Sequence, residues 1–272
     1  MGAEREVWAV GDAYEAYIGR WSRLVAEPFV RWLNARGGLR WLDVGCGTGA
    51  LTGAVLGLAE PAQITGLDPS AAFLELADAR AALVVGDAGE LPFPDRGFDV
   101  VVSGLALNFM PDPRGAVAEF VRVVERGGLV AVYVWDYADG MEMLRYFWDA
   151  VVTLEPGAAE LDEGRRFPGC RPEALGRLWS EAGLGEVEVE AIEVPTVFAD
   201  FEDFWEPFLG GQGPAPGYVM SLGEEGRSAL RELVRARLPR GADGSISLTA
   251  RAWAVRGVDR SGMEKRRPVG RA

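Results

Sequence analysis

The stretch Leu42-Asp43-Val44-Gly45-Cys46-Gly47-Thr48-Gly49-Ala50-Leu51 admits few backbone paths. An apolar run leads into glycines at alternate positions, and residues that favour a helix follow. The pattern reads as the end of a buried strand, a tight turn and the first turn of a helix. Glycines at this spacing remove side chains where a backbone must pass close to another group. The helix start then aims unpaired N–H groups and its positive dipole end into the same space. Asp43, just ahead of the turn, would repel a phosphate and would welcome a ligand carrying an ammonium group.

The rest of the chain is organised around this turn. Residues 40–44, 63–67, 82–85, 98–103 and 129–135 read as strands, and 50–58, 71–80 and 113–125 as the helices between them. Strict alternation of this kind implies an α/β fold with a parallel, doubly wound, Rossmann-like sheet. The run 98–103 is apolar throughout, as a strand buried on both faces is. Ahead of the first strand, residues 13–36 carry Tyr17, Trp21, Val25, Phe29 and Trp32 at helical spacing, with Pro28 placed to kink the helix. Beyond residue 135 the pattern changes. Segments 141–154 and 171–183 read as helices, and 200–240 as helical stretches whose Phe204, Trp205 and Phe208 suit a packed cap. Segments 187–198 and 245–255 alternate apolar and polar residues, as half-exposed strands do. The chain thus reads as a single domain over 1–272, with 13–36 and 140–240 as cap elements around a core at 39–135.

Composition narrows the function classes. The net charge is −13, so a partner with a phosphate backbone is disfavoured and no nucleic acid is expected. The basic tail Lys265-Arg266-Arg267 reads as a solvated end. There is no histidine, which removes the commonest general base and the commonest metal ligand, and no metal is expected. Two cysteines offer no disulfide framework. No apolar run reaches the roughly 18 residues of a membrane span, and the start lacks the pattern of a secretory signal. A cytoplasmic protein acting on a small molecule, with no membrane partner, is the expectation, and a homodimer is compatible with it.

Three acids, Asp43, Asp68 and Asp87, close three successive strands, where ligands of open parallel sheets bind. Asp68 can accept hydrogen bonds from both hydroxyls of a ribose. Asp87 can accept from an exocyclic adenine amine while the Ala88 N–H donates to the ring. With Asp43 beside an amino-acid ammonium, the three describe S-adenosylmethionine. The chain here resembles the class I S-adenosylmethionine-dependent methyltransferases, in particular the small-molecule branch that includes quinone-biosynthesis enzymes. The resemblance rests on residues 42–49, Gly66-Leu67-Asp68-Pro69-Ser70, Gly86-Asp87-Ala88-Gly89-Glu90-Leu91-Pro92-Phe93, Phe98-Asp99-Val100-Val101 and Leu107-Asn108-Phe109-Met110-Pro111-Asp112-Pro113. It implies a seven-stranded sheet with the last strand antiparallel. It implies Gly45, Cys46, Gly47 and Gly49 at the methionyl part, Asp68 and Pro69 at the ribose, and Asp87 with Ala88 at adenine. Ser103 and Leu105 would flank the sulfonium, and a leader containing Arg20 and Trp21 would close over the cofactor. Relatives often carry histidine near Asn108, and a histidine mechanism is excluded there.

Methyl transfer is an in-line displacement in which the cofactor supplies reactivity and the protein supplies orientation. If a base takes part, the candidates are Asp136 and Tyr137 after the fifth strand, or Tyr14 and Tyr17 in the leader. Two other readings stay open on sequence. Gly45 to Ala50 also fits the dinucleotide pattern of a nicotinamide oxidoreductase. A non-catalytic protein that binds S-adenosylmethionine would carry the same residues.

Overall fold

The computed structural model describes residues 17, 19–78, 80–211 and 213–261. Its centre is a seven-stranded sheet in the order β3-β2-β1-β4-β5-β7-β6. The parallel half comprises β1 (Arg40–Val44), β2 (Gln63–Asp68), β3 (Ala82–Val85), β4 (Phe98–Gly104) and β5 (Val124–Trp135). β6 (Leu184–Phe198) and β7 (Ile246–Asp259) complete it, with β7 antiparallel to both neighbours. β1 lies between β2 and β4, so the strand order reverses beside its carboxyl end. That places the glycine turn in the crevice where open α/β sheets bind ligands.

The helices follow from their caps and faces. α1 (Arg20–Leu33) contains Pro28, buries Val25, Ala26 and Phe29, and ends on Asn34 in the left-handed region at φ 48°. Arg256 of β7 donates from Nη1 to the carbonyls of Trp32 and Leu33 at 2.9 and 3.3 Å. A cation at a helix C-terminus satisfies carbonyls that the helix leaves open. α2 (Ala50–Leu58) leaves the glycine turn, and α3 (Ala71–Leu74) is capped by Ser70. α3 is much shorter than the helix expected over 71–80, because Leu76 and Ala77 bond only three residues back, to the Phe73 and Leu74 carbonyls, and Asp78 then takes the Arg80 N–H at 2.9 Å. α4 (Pro113–Val123) starts at the Asp112 cap with proline in its first turn. It ends earlier than expected, because β5 begins at Val124 and pairs with Phe98 before an irregularity in register.

Beyond β5 lie α5 (Glu142–Leu154), α6 (Glu163–Arg166), α7 (Pro172–Glu181), α8 (Phe201–Trp205), α9 (Pro214–Ser221) and α10 (Glu224–Arg237). Within 140–240 the strand expected over 187–198 is present as the longer β6. β6 is a sheet strand, and α7 packs on the sheet through Trp179, whose Nε1 donates to the Val130 carbonyl at 3.0 Å. The rest does form a ring-lined layer. Phe147 stacks on Phe208 at 4.7 Å, Tyr17 meets Phe208 edge-on at 5.4 Å, and Phe204 packs against Phe198 at 5.1 Å. Phe204, Trp205 and Phe208 are buried, in keeping with the cap core expected of them.

β6 is the outer strand, 15 residues long. Its exposed positions carry Glu186, Glu188, Glu190, Glu193 and Pro195. Among the described residues no helix is long and apolar enough to cross a membrane. Among the same residues no cluster of acids or cysteines could hold a metal ion.

Candidate active site

The cavity at the carboxyl ends of β1, β2 and β4 has a volume of about 330 Å³. Gly45, Cys46 and Gly47 form its floor, and Asp43, Asp68, Asp87, Ala88 and Leu105 line it. The turn is fixed from below. The Gly45 and Cys46 N–H groups donate to the Leu67 carbonyl at 2.7 and 3.1 Å. Asp68 accepts from the Gly47 N–H at 2.9 Å with one oxygen and from the Ser70 N–H at 2.8 Å with the other. One carboxylate therefore ties the glycine turn to the exit of β2, and each oxygen retains a lone pair for a ligand hydroxyl. Burial pushes the Asp68 carboxyl above its usual range, against the pull of these two N–H groups.

Asp43 is fully buried. Its Oδ2 accepts from Thr52 Oγ1 at 2.7 Å, and its Oδ1 has no hydrogen-bond partner. Burial pushes this carboxyl up to about 7, with the neighbouring Asp68 charge adding and the Thr52 bonds opposing. An unpaired buried carboxylate oxygen in a cavity is costly without a cationic partner. An ammonium group supplies one, and a pyrophosphate does not. The residues present therefore fit an amino-acid tail at this end of the cavity.

Asp87 is exposed at the rim, where its Oδ1 accepts from the Gly89 N–H at 2.7 Å and braces the loop after β3. The opposite wall comes from β4 and β5. A Cβ on Gly104 would lie 2.6 Å from Tyr133 Oη, so the missing side chain lets the phenol of Tyr133 reach the cavity. Leu105 follows in the left-handed region at φ 59°, unusual for a leucine, with its N–H donating to the Tyr133 carbonyl at 2.8 Å. Gly45 is at φ 72°, and a Cβ there would lie 2.6 Å from that of Ala106. Both conformation and space hold this position to glycine.

Of the residues expected at the cofactor, Asp43, Gly45, Cys46, Gly47, Asp68, Pro69, Asp87, Ala88 and Leu105 meet in this cavity. Four others do not line it. Gly49 sits one step back as the N-cap of α2, where its lack of a side chain admits Ala77. Ser103 is buried in the sheet beneath the cavity. Trp21 packs edge-on against Phe198 at 5.4 Å. Arg20 pairs with Asp203 at 2.8 Å and lies over the same Phe198 ring at 4.7 Å. The helical turn of α1 sends these two side chains toward the cap and the next residue, Ser22, to the cavity.

The base candidates lie outside the lining as well. Asp136 is buried and held by Arg251 Nη2 at 2.6 Å and by the Asp139 N–H at 3.2 Å. Tyr137 is buried against Phe167 at 5.2 Å, and Tyr17 is buried in the cap. Tyr14 and the basic tail fall outside the described residues. Sequence reasoning missed Ser22, Phe73, Ala106, Phe109, Met110 and Tyr133, all of which line the cavity. The available signals were the stretch 107–113, which carries Phe109 and Met110, and Gly104, because glycine inside a strand marks a close approach.

Known proteins place this arrangement. The methyltransferase domain family matches residues 42–132. The demethylmenaquinone methyltransferase of Staphylococcus aureus is 41% identical over 176 residues, covering 58% of this chain and 73% of the relative. The 2-methyl-6-phytyl-1,4-hydroquinone methyltransferase of a Synechocystis species is 32% identical over 180 residues, covering 63% of this chain and 55% of the relative. Among solved structures, Haemonchus contortus phosphoethanolamine N-methyltransferase 2, in complex with phosphomonomethylethanolamine and S-adenosylhomocysteine, shares the fold. It superposes with a TM-score of 0.55 at 19% identity, covering 91% of this chain and 56% of that one.

Proposed function

The chain belongs to the class I S-adenosylmethionine-dependent methyltransferases, and from that premise we propose how its cavity seats the cofactor and which acceptor it serves. The reaction is methyl transfer from S-adenosylmethionine to a small-molecule acceptor. When bound, the cofactor supplies an electrophilic methyl group and a thioether leaving group. The protein's part is orientation. In the proposed pose Asp43 Oδ1 receives the ammonium, Asp68 the ribose hydroxyls, and Asp87 with the Ala88 N–H the adenine. The backbone of 45–47 approaches the methionyl part, and Leu105 with Tyr133 flanks the sulfonium. The observation that carries this pose is the unpaired, buried oxygen of Asp43, a residue that lines the same cavity as Asp68.

The acceptor is proposed to be a ring bearing oxygen substituents, in keeping with two relatives named for demethylmenaquinone and a hydroquinone. It would enter from the side of Phe109 and Met110, where the cavity meets the cap. Calorimetric titration tests the pose. S-adenosylmethionine binds and NADH does not, and Asp68→Ala weakens binding while the circular-dichroism spectrum is kept. Unchanged affinity in Asp68→Ala would refute the ribose assignment.

A further inference from the structure

Asp43, which lines the cavity, has one oxygen with a hydrogen-bond donor and one without. The donor is Thr52, the third residue of α2, fully buried and outside the cavity lining. A threonine inside a helix commonly turns its hydroxyl back to a carbonyl three or four residues earlier. This one crosses to β1 instead and donates to Asp43 Oδ2 at 2.7 Å. A hydroxyl has a single proton to give, so Oδ2 is served and Oδ1 is left without a partner.

Nothing charged beside Asp43 competes for this role. In the sheet it stands opposite Gly66 of β2 and Val102 of β4. The titratable side chains that share the cavity are Cys46 of the glycine turn, Asp68 at the end of β2, Asp87 at the rim and Tyr133 of β5. Among the described residues no cation lines it. Burial holds the Cys46 thiol well above its usual range, so it stays uncharged near neutral pH. The Asp68 charge pushes the Asp43 carboxyl up, as burial does, and the Thr52 bonds oppose both.

We infer that Thr52 is a positioning residue for the cofactor: its hydroxyl fixes the carboxylate of Asp43 through Oδ2 and so reserves Oδ1 for the ammonium. The assignment rests on the proposed seating of the ammonium at Asp43. Because Oδ2 already holds a donor, a proton taken up by Asp43 goes to Oδ1, the atom that the ammonium needs. Proton and ligand then exclude each other at one site. A donor on the charged form favours that form, so Thr52 tilts the competition towards the ligand.

The test titrates the full chain calorimetrically with S-adenosylmethionine and with 5′-methylthioadenosine, which keeps the adenine, ribose and thioether and lacks the amino-acid tail. Thr52→Val and Thr52→Ala remove the donor, and Thr52→Ser keeps it. In the donor-free variants the affinity for S-adenosylmethionine is expected to fall about tenfold at pH 6 and to come within about twofold of the parent at pH 8.5. The reason is that the carboxyl without its donor titrates about one pH unit higher and must release its proton on binding. The ammonium of the ligand titrates alike for every protein, so the ratio of affinities reports on Asp43. Affinity for 5′-methylthioadenosine stays within about twofold, and Thr52→Ser binds both ligands within about twofold of the parent. A deficit equal for the two ligands, or equal at every pH, overturns the assignment by showing that the hydroxyl only shapes the turn. A deficit in Thr52→Ser as large as in Thr52→Val overturns it as well. Unchanged S-adenosylmethionine affinity in the donor-free variants, beside a loss in Asp43→Asn, overturns the assignment alone. Unchanged affinity in Asp43→Asn too overturns the seating of the ammonium itself.

Discussion

In the proposed pose Asp43 receives the cofactor's ammonium, and its protonation then couples binding to pH. In the free protein its carboxyl titrates near 7 because burial disfavours the charge. An ammonium beside it favours the ionised form, so the bound state holds Asp43 as carboxylate. Below about pH 7 the free protein carries a proton that binding must expel, and affinity for S-adenosylmethionine falls by up to about tenfold per pH unit. Above that value the dependence levels off. Asp43→Asn should bind the cofactor about 10- to 100-fold more weakly at pH 8, by loss of a charge-assisted hydrogen bond, and with no inflection near 7. Calorimetry from pH 5.5 to 8.5 measures both. The sequence announced this residue by its place before the glycines, and Asp68 and Asp87 by theirs at strand ends. It did not announce Tyr133, because a tyrosine in an apolar strand looks like core until its register against Gly104 is known. Arg20 and Trp21 turn away from the cavity lining for a related reason. A helix rotates by about 100° per residue, so a segment can border a site while only one of its side chains enters.

At the level of elements, the exit of β5 is a structural joint. Asp136 takes the guanidinium of Arg251 from β7, and its carbonyl accepts from the N–H groups of Gly140 and Met141, both at 3.0 Å. A Cβ on Gly140 would lie 2.8 Å from the Asp136 carboxylate, so the turn closes tightly on the ion pair. Asp136→Ala strands a partly exposed arginine and is expected to destabilise the fold by about 1–3 kcal/mol, while kcat of the folded enzyme and cofactor affinity stay within about twofold. Urea unfolding followed by fluorescence, with steady-state kinetics on the folded fraction, separates the two effects. A loss of kcat beyond about a hundredfold with little loss of stability would restore Asp136 as a base. Strand positions were readable because buried parallel strands are apolar runs bounded by breakers. Helix ends were less so. The end of α4 was set by strand pairing of Val124 with Phe98, a long-range contact that propensity does not encode.

Over the whole molecule, cap and sheet share one core. Trp179 of α7 bonds into the centre of the sheet, and Arg256 of β7 seals the end of α1. Removing the segments beyond β5 would expose its entire long edge to β7. The full chain should therefore unfold in one cooperative calorimetric transition, with van't Hoff and calorimetric enthalpies equal. Two resolved transitions would show a separately folding cap. The doubly wound half was legible because its order follows from alternation. The alternation at 187–198 and 245–255 announced β6 and β7 as well, whereas the docking of α7 on the sheet rests on packing with distant residues. The outer strand β6 carries a consequence for how copies of the protein meet. A strand of 15 residues with one open side is a ready template for another chain. Its exposed glutamates Glu186, Glu188 and Glu193 pair with Arg260, Arg256 and Arg251, which lines the edge with ion pairs, and the ring of Pro195 removes a donor from the row. Charged side chains and a proline along an open edge make it a poor template for a second sheet, so the row acts as insulation against edge-to-edge pairing.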